Sequence, residues 1–146
     1  MAFFFLLFKS EFWGNVKAGV VLRRLKKGGY MEPIGTDRRK VANIANGTFE
    51  PFLAADGTPD GEVLQVNGGK RGHGFHIYRM AAGQTTVAHT HDGDEEFFLI
   101  DGDLTDHDGY EYKAGDIICL SSGTTHNSYS KNGCTLVVYV PESNGA

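Results

Sequence analysis

Cysteine is nearly absent: Cys119 and Cys134 are the only two among 146 residues, and no Cys-x-x-Cys spacing joins them. That weighs against a zinc–thiolate site or a dithiol redox pair. Both fall in apolar, strand-like stretches, so buried free thiols are expected, and a domain of this size needs no disulfide. The cytoplasm is the default compartment. Long apolar runs are missing as well. Phe3-Phe4-Phe5-Leu6-Leu7-Phe8 falls far short of the about 20 residues that cross a bilayer. It also lacks the basic start and small-residue cleavage site of a secretory signal. No membrane span is expected; the basic residues after the aromatic run leave a surface-lying amphipathic segment as the membrane alternative. Positive charge is in deficit, with a net −4 over the chain, so a nucleic-acid partner held through its phosphates is not expected.

Glycine, by contrast, is plentiful at 20 residues against four prolines, and the apolar share of 40% is ordinary for a globular chain. The length suits one domain with a real core. Beyond residue 40 no segment carries a helical apolar period. Stretches such as Glu62–Val66, Phe75–Met80, Ile117–Leu120, Thr125–Tyr129 and Cys134–Val140 alternate with turn signals, among them Asp56-Gly57, Asp60-Gly61 and Asp108-Gly109. That pattern predicts an all-β antiparallel barrel or sandwich. The basic, glycine-rich stretch 68–74 lacks the P-loop order and reads as a flexible loop. Residues 1–30 stand apart: six basic residues against Glu11 give +5, which leaves −9 for residues 31–146. Lys27-Gly28-Gly29, just before Tyr30-Met31, can be encoded by a ribosome-binding sequence. The segment is therefore read as translated leader, with Met31 as the natural start. Residues 31–70 then supply polar lead-in strands of the barrel, 71–141 its core, and 142–146 a tail.

The stretch from Gly83 to Gly102 carries the chemistry. His89 and His91 stand one residue apart, so on a strand both imidazoles share one face. Asp92-Gly93-Asp94 is turn chemistry that lets the next strand return and set Glu95 opposite them. Glu95, Phe97 and Leu99 then share the inward face. The stretch from Gly115 ends in His126 just after a glycine turn, a source for a fourth donor. Nitrogens and a carboxylate oxygen converging from adjacent strands suit a divalent first-row metal. By the same alternation Val87, Phe97, Leu99 and Ser128 are candidates for a cavity wall. Arg79 is a candidate for binding a substrate carboxylate or for an internal ion pair. His76 is expected in the core or at the surface rather than at the site. Asp103, Asp106 and Asp108 lack the spacing of a calcium loop. Asp92, Asp94 and Glu96 predict a cavity mouth unfavourable to anions, hence a neutral substrate.

These stretches resemble the two motifs of the cupin superfamily. The first (Gly, five residues, His-x-His, three or four residues, Glu, six residues, Gly) is matched at Gly83, His89, His91, Glu95 and Gly102. The second is matched at Gly115, Gly123 and His126, while Ser121 and Ser130 replace a proline and an asparagine. Neither departure falls on a donor. The resemblance covers roughly residues 70–140. It implies a double-stranded β-helix, a jelly-roll-like antiparallel barrel, with His89, His91, Glu95 and His126 around one metal ion. An octahedral ion would keep two positions open and suits Fe2+, or Mn2+ or Ni2+ in its place; Zn2+ would close tetrahedrally on the same four donors. Each imidazole must be neutral to ligate, so affinity should fall below about pH 6.

Within the superfamily the chain looks most like the small group that joins anti-sigma-factor cupin domains with acetylacetone-cleaving dioxygenases. His89-Thr90-His91-Asp92-Gly93-Asp94-Glu95-Glu96, Tyr112-Lys113-Ala114-Gly115 and Gly133-Cys134 carry that likeness. Sensor members of the group bind zinc through this donor set, and its dioxygenases cleave β-diketones or related carbonyl compounds at non-haem Fe(II), some with three histidines and no acid ligand. Glu95 makes this chain look less like those three-histidine members. The likeness implies a metal-dependent dioxygenase of a small carbonyl or aromatic compound. Its alternative is a zinc-binding sensor or ligand-binding domain without catalysis, and a metal-dependent isomerase or lyase would keep the same donors. Anti-sigma members add an N-terminal helical domain, for which residues 31–70 are too short and too polar, so that role is not expected. A homodimer formed through edge strands is expected of a short barrel.

Overall fold

The computed structural model describes residues 31–141; the leader expected at 1–30 and the tail expected at 142–146 lie outside the described residues. Contacts separate the chain into two units, 1–39 and 40–146. Of the first, residues 31–39 hold one 3-10 turn, Thr36–Arg38, with no buried side chain. No helix among the described residues is long and apolar enough to cross a membrane.

The second unit is all strand and turn: β1 (Glu50–Leu53), β2 (Pro59–Leu64), β3 (Gly74–Met80), β4 (Gln84–Thr85), β5 (His89–Thr90), β6 (Glu95–Asp106), β7 (Glu111–Lys113), β8 (Ile117–Leu120), β9 (Thr125–His126), β10 (Ser128–Ser130) and β11 (Cys134–Val140). The Asp-Gly signals become turns for a local reason. Asp56 and Asp108 accept the backbone N–H two residues on, from Thr58 and Tyr110, and Gly57 and Gly109 sit at φ 85° and 87°, where only glycine is unstrained. A nine-stranded sheet runs β1-β2-β3-β11-β6-β10-β4, with β7 and β8 also on β6, and a small β5-β9 ladder stands apart. Every pairing is antiparallel. The sheet curls on itself, in the manner expected of a double-stranded β-helix.

Alternation decides which side chains enter. On β3, His76, Tyr78 and Met80 point inward and are buried, whereas Phe75 is exposed. Tyr78 and Met80 meet Phe97, Leu99, Leu104, Tyr112, Leu136 and Val138 in one core, and each large apolar side chain so buried stabilises by about 1.5–3 kcal/mol. Of the two cysteines, Cys134 is buried as expected, but Cys119 is exposed, because β8 turns Ile118 and Leu120 inward and leaves Ile117 and Cys119 outside.

β6 is the element that positions the site. Twelve residues at about 3.3 Å each would reach about 36 Å if straight. Its two ends nevertheless approach one histidine, because the strand changes sheets. Residues up to Gly102 pair with β8 and β11, and residues from Asp103 pair with β7 and β10. The bend falls at Gly102, φ 85°, next to an irregularity opposite Thr135 and Leu136. The stretch expected as one strand, Thr125–Tyr129, is likewise broken: Asn127 separates β9, which pairs β5, from β10, which pairs β6 and β4.

Candidate metal centre

His89 and His126 are register partners across the β5–β9 ladder. His91 follows β5 and is tied down by its backbone, donating to Thr124 O at 3.0 Å and accepting from Gly123 N at 2.8 Å. Glu95 opens β6. The four side chains therefore converge: one donor atom from each of His89, His91, Glu95 and His126 lies within 4.8 Å of the others. The three imidazole centroids are 4.8, 4.8 and 4.9 Å apart.

The donor set fits a divalent ion on two further observations. His91 Nε2 and His126 Nε2 are buried without a hydrogen-bond partner, a condition that costs about 1–3 kcal/mol per group unless something binds there. In addition, His89 Nδ1 lies 2.9 Å from Val87 O, and His126 Nδ1 lies 3.2 Å from Asp106 Oδ1. Those acceptors require protonated Nδ1 atoms, which leaves the Nε2 lone pairs for an ion and fixes each ring. Glu95 Oε2 stands 3.1 Å from His91 Nδ1 and 4.0 Å from His89 Nε2. The Glu95 carboxylate lifts His89 above the ordinary imidazole range, while burial pushes His91 below it against the pull of Glu95.

Asp106 is the residue that the sequence reading missed. Its carboxylate accepts from His126, from Ser128 Oγ and from Tyr112 OH, the last at 2.7 Å. Burial alone would raise its pKa, but these three bonds together hold it below the usual carboxylate value. Counting alternate residues from Glu95 puts position 106 outside. The register irregularity between Leu99 and Asp101, which makes Ile100 an extra residue, reverses the count and brings it in, with Leu104.

The cluster opens onto a cavity of about 950 Å3. Val87, Phe97 and Ser128 line it, as do the four donor residues. Leu99 and Arg79 do not, which corrects the expected wall. Leu99 is wholly buried beyond Phe97 in the core. Arg79 faces away from His76 and Tyr78 by strand alternation, and its guanidinium stacks 3.8 Å above the Phe49 ring, an exposed-side cation–π contact. His76, expected away from the site, is buried on the cavity wall. Asp60 is there too; it accepts from Val87 N at 2.9 Å and from Tyr78 OH, and burial raises its pKa. The acidic mouth is also revised. Asp92 lines the cavity, but Asp94 accepts from Ser122 N, Glu96 lies on the exposed face of β6, and Lys70 and Arg71 of the glycine-rich loop join the rim. The mouth is of mixed charge, and exclusion of anions no longer follows.

Comparison with known proteins agrees with this fold. A family model described as the ChrR cupin-like domain matches residues 38–143. No curated protein matches the sequence. Among solved structures, an acetylacetone dioxygenase from Acinetobacter johnsonii is 19% identical, with 75% of this chain and 78% of that one covered at a TM-score of 0.53. A predicted oxalate decarboxylase from Thermotoga maritima is also 19% identical, with coverage of 68% and 96% and a TM-score of 0.52. Rhodobacter sphaeroides SigE in complex with the anti-sigma ChrR overlaps less, at 20% identity and a TM-score of 0.43, and this chain spans 41% of that one. At these identities the likeness is one of fold. With the family model spanning most of its length, the chain belongs to the ChrR cupin-like family of cupins.

Proposed function

We propose that this protein is a metal-dependent cupin dioxygenase of a small carbonyl or aromatic compound. His89, His91, Glu95 and His126 hold one divalent first-row ion, Fe2+ in the catalytic form. The observation that carries this reading is the cavity of about 950 Å3 that meets the four donors. A purely structural ion needs closure by protein, whereas a reactive one needs room for a ligand beside it. When bound, the ion would supply Lewis acidity and, if iron, one-electron chemistry. The chain's own residues do the rest. Asp106 and Val87 O orient His126 and His89, and Phe97, Val138 and Met80 keep bulk water from the reacting face. The acetylacetone dioxygenase neighbour lends the β-diketone as the first substrate to try. A homodimer is the assembly proposed.

The test is to prepare the protein without added metal, measure its metal content, reload it anaerobically with Fe2+, Mn2+, Ni2+ or Zn2+, and follow dioxygen uptake over β-diketones and catechols. Turnover with Fe2+ supports the reading. One tightly held zinc per chain and no uptake with any ion would replace it with the sensor or ligand-binding role, which the same four donors permit. Substrate conversion without dioxygen uptake would point to an isomerase or lyase.

A further inference from the structure

His76 is 4% exposed, yet it faces the cavity. Its Nδ1 lies 3.0 Å from the carbonyl of Gly74, its one hydrogen bond among the described residues. A carbonyl oxygen can only accept, so Nδ1 carries the proton, and the neutral ring presents a bare Nε2 lone pair. Burial lowers the pKa of His76, against the Gly74 bond and the charge of Glu95, which favours the neutral ring. The hydroxyls on the same wall are already committed: Tyr78 donates to Asp60 O and Ser128 to Asp106. Unlike His91 Nε2 and His126 Nε2, His76 Nε2 is not shut off from the cavity, so it is free to accept from whatever fills that space.

Sheet register places this acceptor relative to the donors. Val138 pairs with His76 on one side and with Phe97 on the other, so the three form one row across the inner face. Glu95 lies two residues before Phe97 on β6. His76 is thus two strand spacings from the strand of Glu95, about 10 Å, with apolar Phe97 and Val138 between.

We propose that His76 Nε2 accepts a hydrogen bond from the ligand, and that the ligand is a chelating, flat, apolar molecule bearing an O–H or N–H donor at the end remote from the metal. A phenol attached to a 1,3-dicarbonyl has that form. The assignment rests on the metal-centred reading above and specifies which ligands within it are preferred.

Two probes separate the contributions: benzoylacetone and its para-hydroxyl analogue, titrated by calorimetry into Ni2+-loaded protein of measured metal content, because an octahedral ion keeps two positions open beside the four donors. The hydroxyl analogue should bind wild type about tenfold more tightly. His76→Phe should abolish that preference, and His76→Gln, which keeps an acceptor, should retain part of it. Nitrogen NMR of the wild type supplies a readout that needs no variant. His76 Nε2 should be unprotonated, and its resonance should move with the hydroxyl analogue but not with benzoylacetone. Equal affinities in wild type, a preference that survives His76→Phe, or a protonated Nε2 would each overturn the assignment. Failure to take up Ni2+, read from the metal content alone, would sink the metal reading and this one together; uptake with equal affinities, or with neither probe bound, sinks only this one.

Discussion

Asp106 does more than orient His126. With Ser128 and Tyr112 it forms a buried network with three donors to one carboxylate, and such outer groups set the ring a metal meets. Asp106→Asn should lower metal affinity about 10–100-fold. The metal-free fold should lose about 1–3 kcal/mol, since an amide cannot accept all three bonds. Chelator competition and urea denaturation measure the two separately. His76 gives a pH signature. Burial lowers its folded-state pKa, so the unfolded chain binds the proton first as pH falls below about 6.5. Stability from this group is therefore full above that value and is lost toward the lower folded pKa. The urea midpoint of metal-free wild type should drop more between pH 7.5 and 5.5 than that of His76→Gln; parallel profiles would refute it. His89, His91, Glu95 and His126 were legible as a spaced pattern because motif spacing survives any detail of packing. His76, Asp60 and Asp106 were not, since a lone histidine or aspartate on a strand reveals its side of the sheet only when the register is known.

At the scale of the element, β6 governs the site through one glycine. A Cβ at Gly102 would overlap the carbonyl oxygen of Gly133 and Cys134 Cα, and φ is 85°. Gly102→Ala should therefore cost about 3 kcal/mol or more, backbone strain and overlap together. Gly109→Ala, at a similar φ with open space around it, should cost only about 1–2 kcal/mol. Urea midpoints decide this, and equal losses would show that overlap at Gly102 is relieved by a small shift. Gly102→Ala should also weaken metal binding, although Gly102 is not a donor, because it carries Asp106 back to His126. Strand existence was readable from short apolar stretches and Asp-Gly turns. The mid-strand bend and the break at Asn127 were not, because both depend on partners far along the chain.

Among the described residues, one face of the barrel exposes an apolar row. Register lines up Ile117, Phe98, Val137 and Ile77 across β8, β6, β11 and β3. Ile117 is 83% exposed, and Tyr139 and Phe75, neighbours in the next row, are 45% and 60% exposed. Exposed apolar rows of this kind mark association surfaces. The edge strands offer less, since β4 at one end has two residues. The homodimer proposed is therefore expected to pair through this face rather than by strand addition. Ile117→Lys should shift sedimentation equilibrium toward monomer while metal stoichiometry stays the same. A wild-type monomer at tens of micromolar would end the proposal.

The distance along the chain from Glu95 to His126 also has a consequence for how the proposed ion would be taken up. His89, His91, Asp92 and Asp94 fall within six residues, so even an unfolded chain offers them as a short chelating peptide. His126 joins only after the barrel has closed. An ion supplied during refolding is thus contested between a local trap and the finished cage, and any hold on the unfolded chain reduces what binding contributes to stability. Adding the ion last should give the more uniform product.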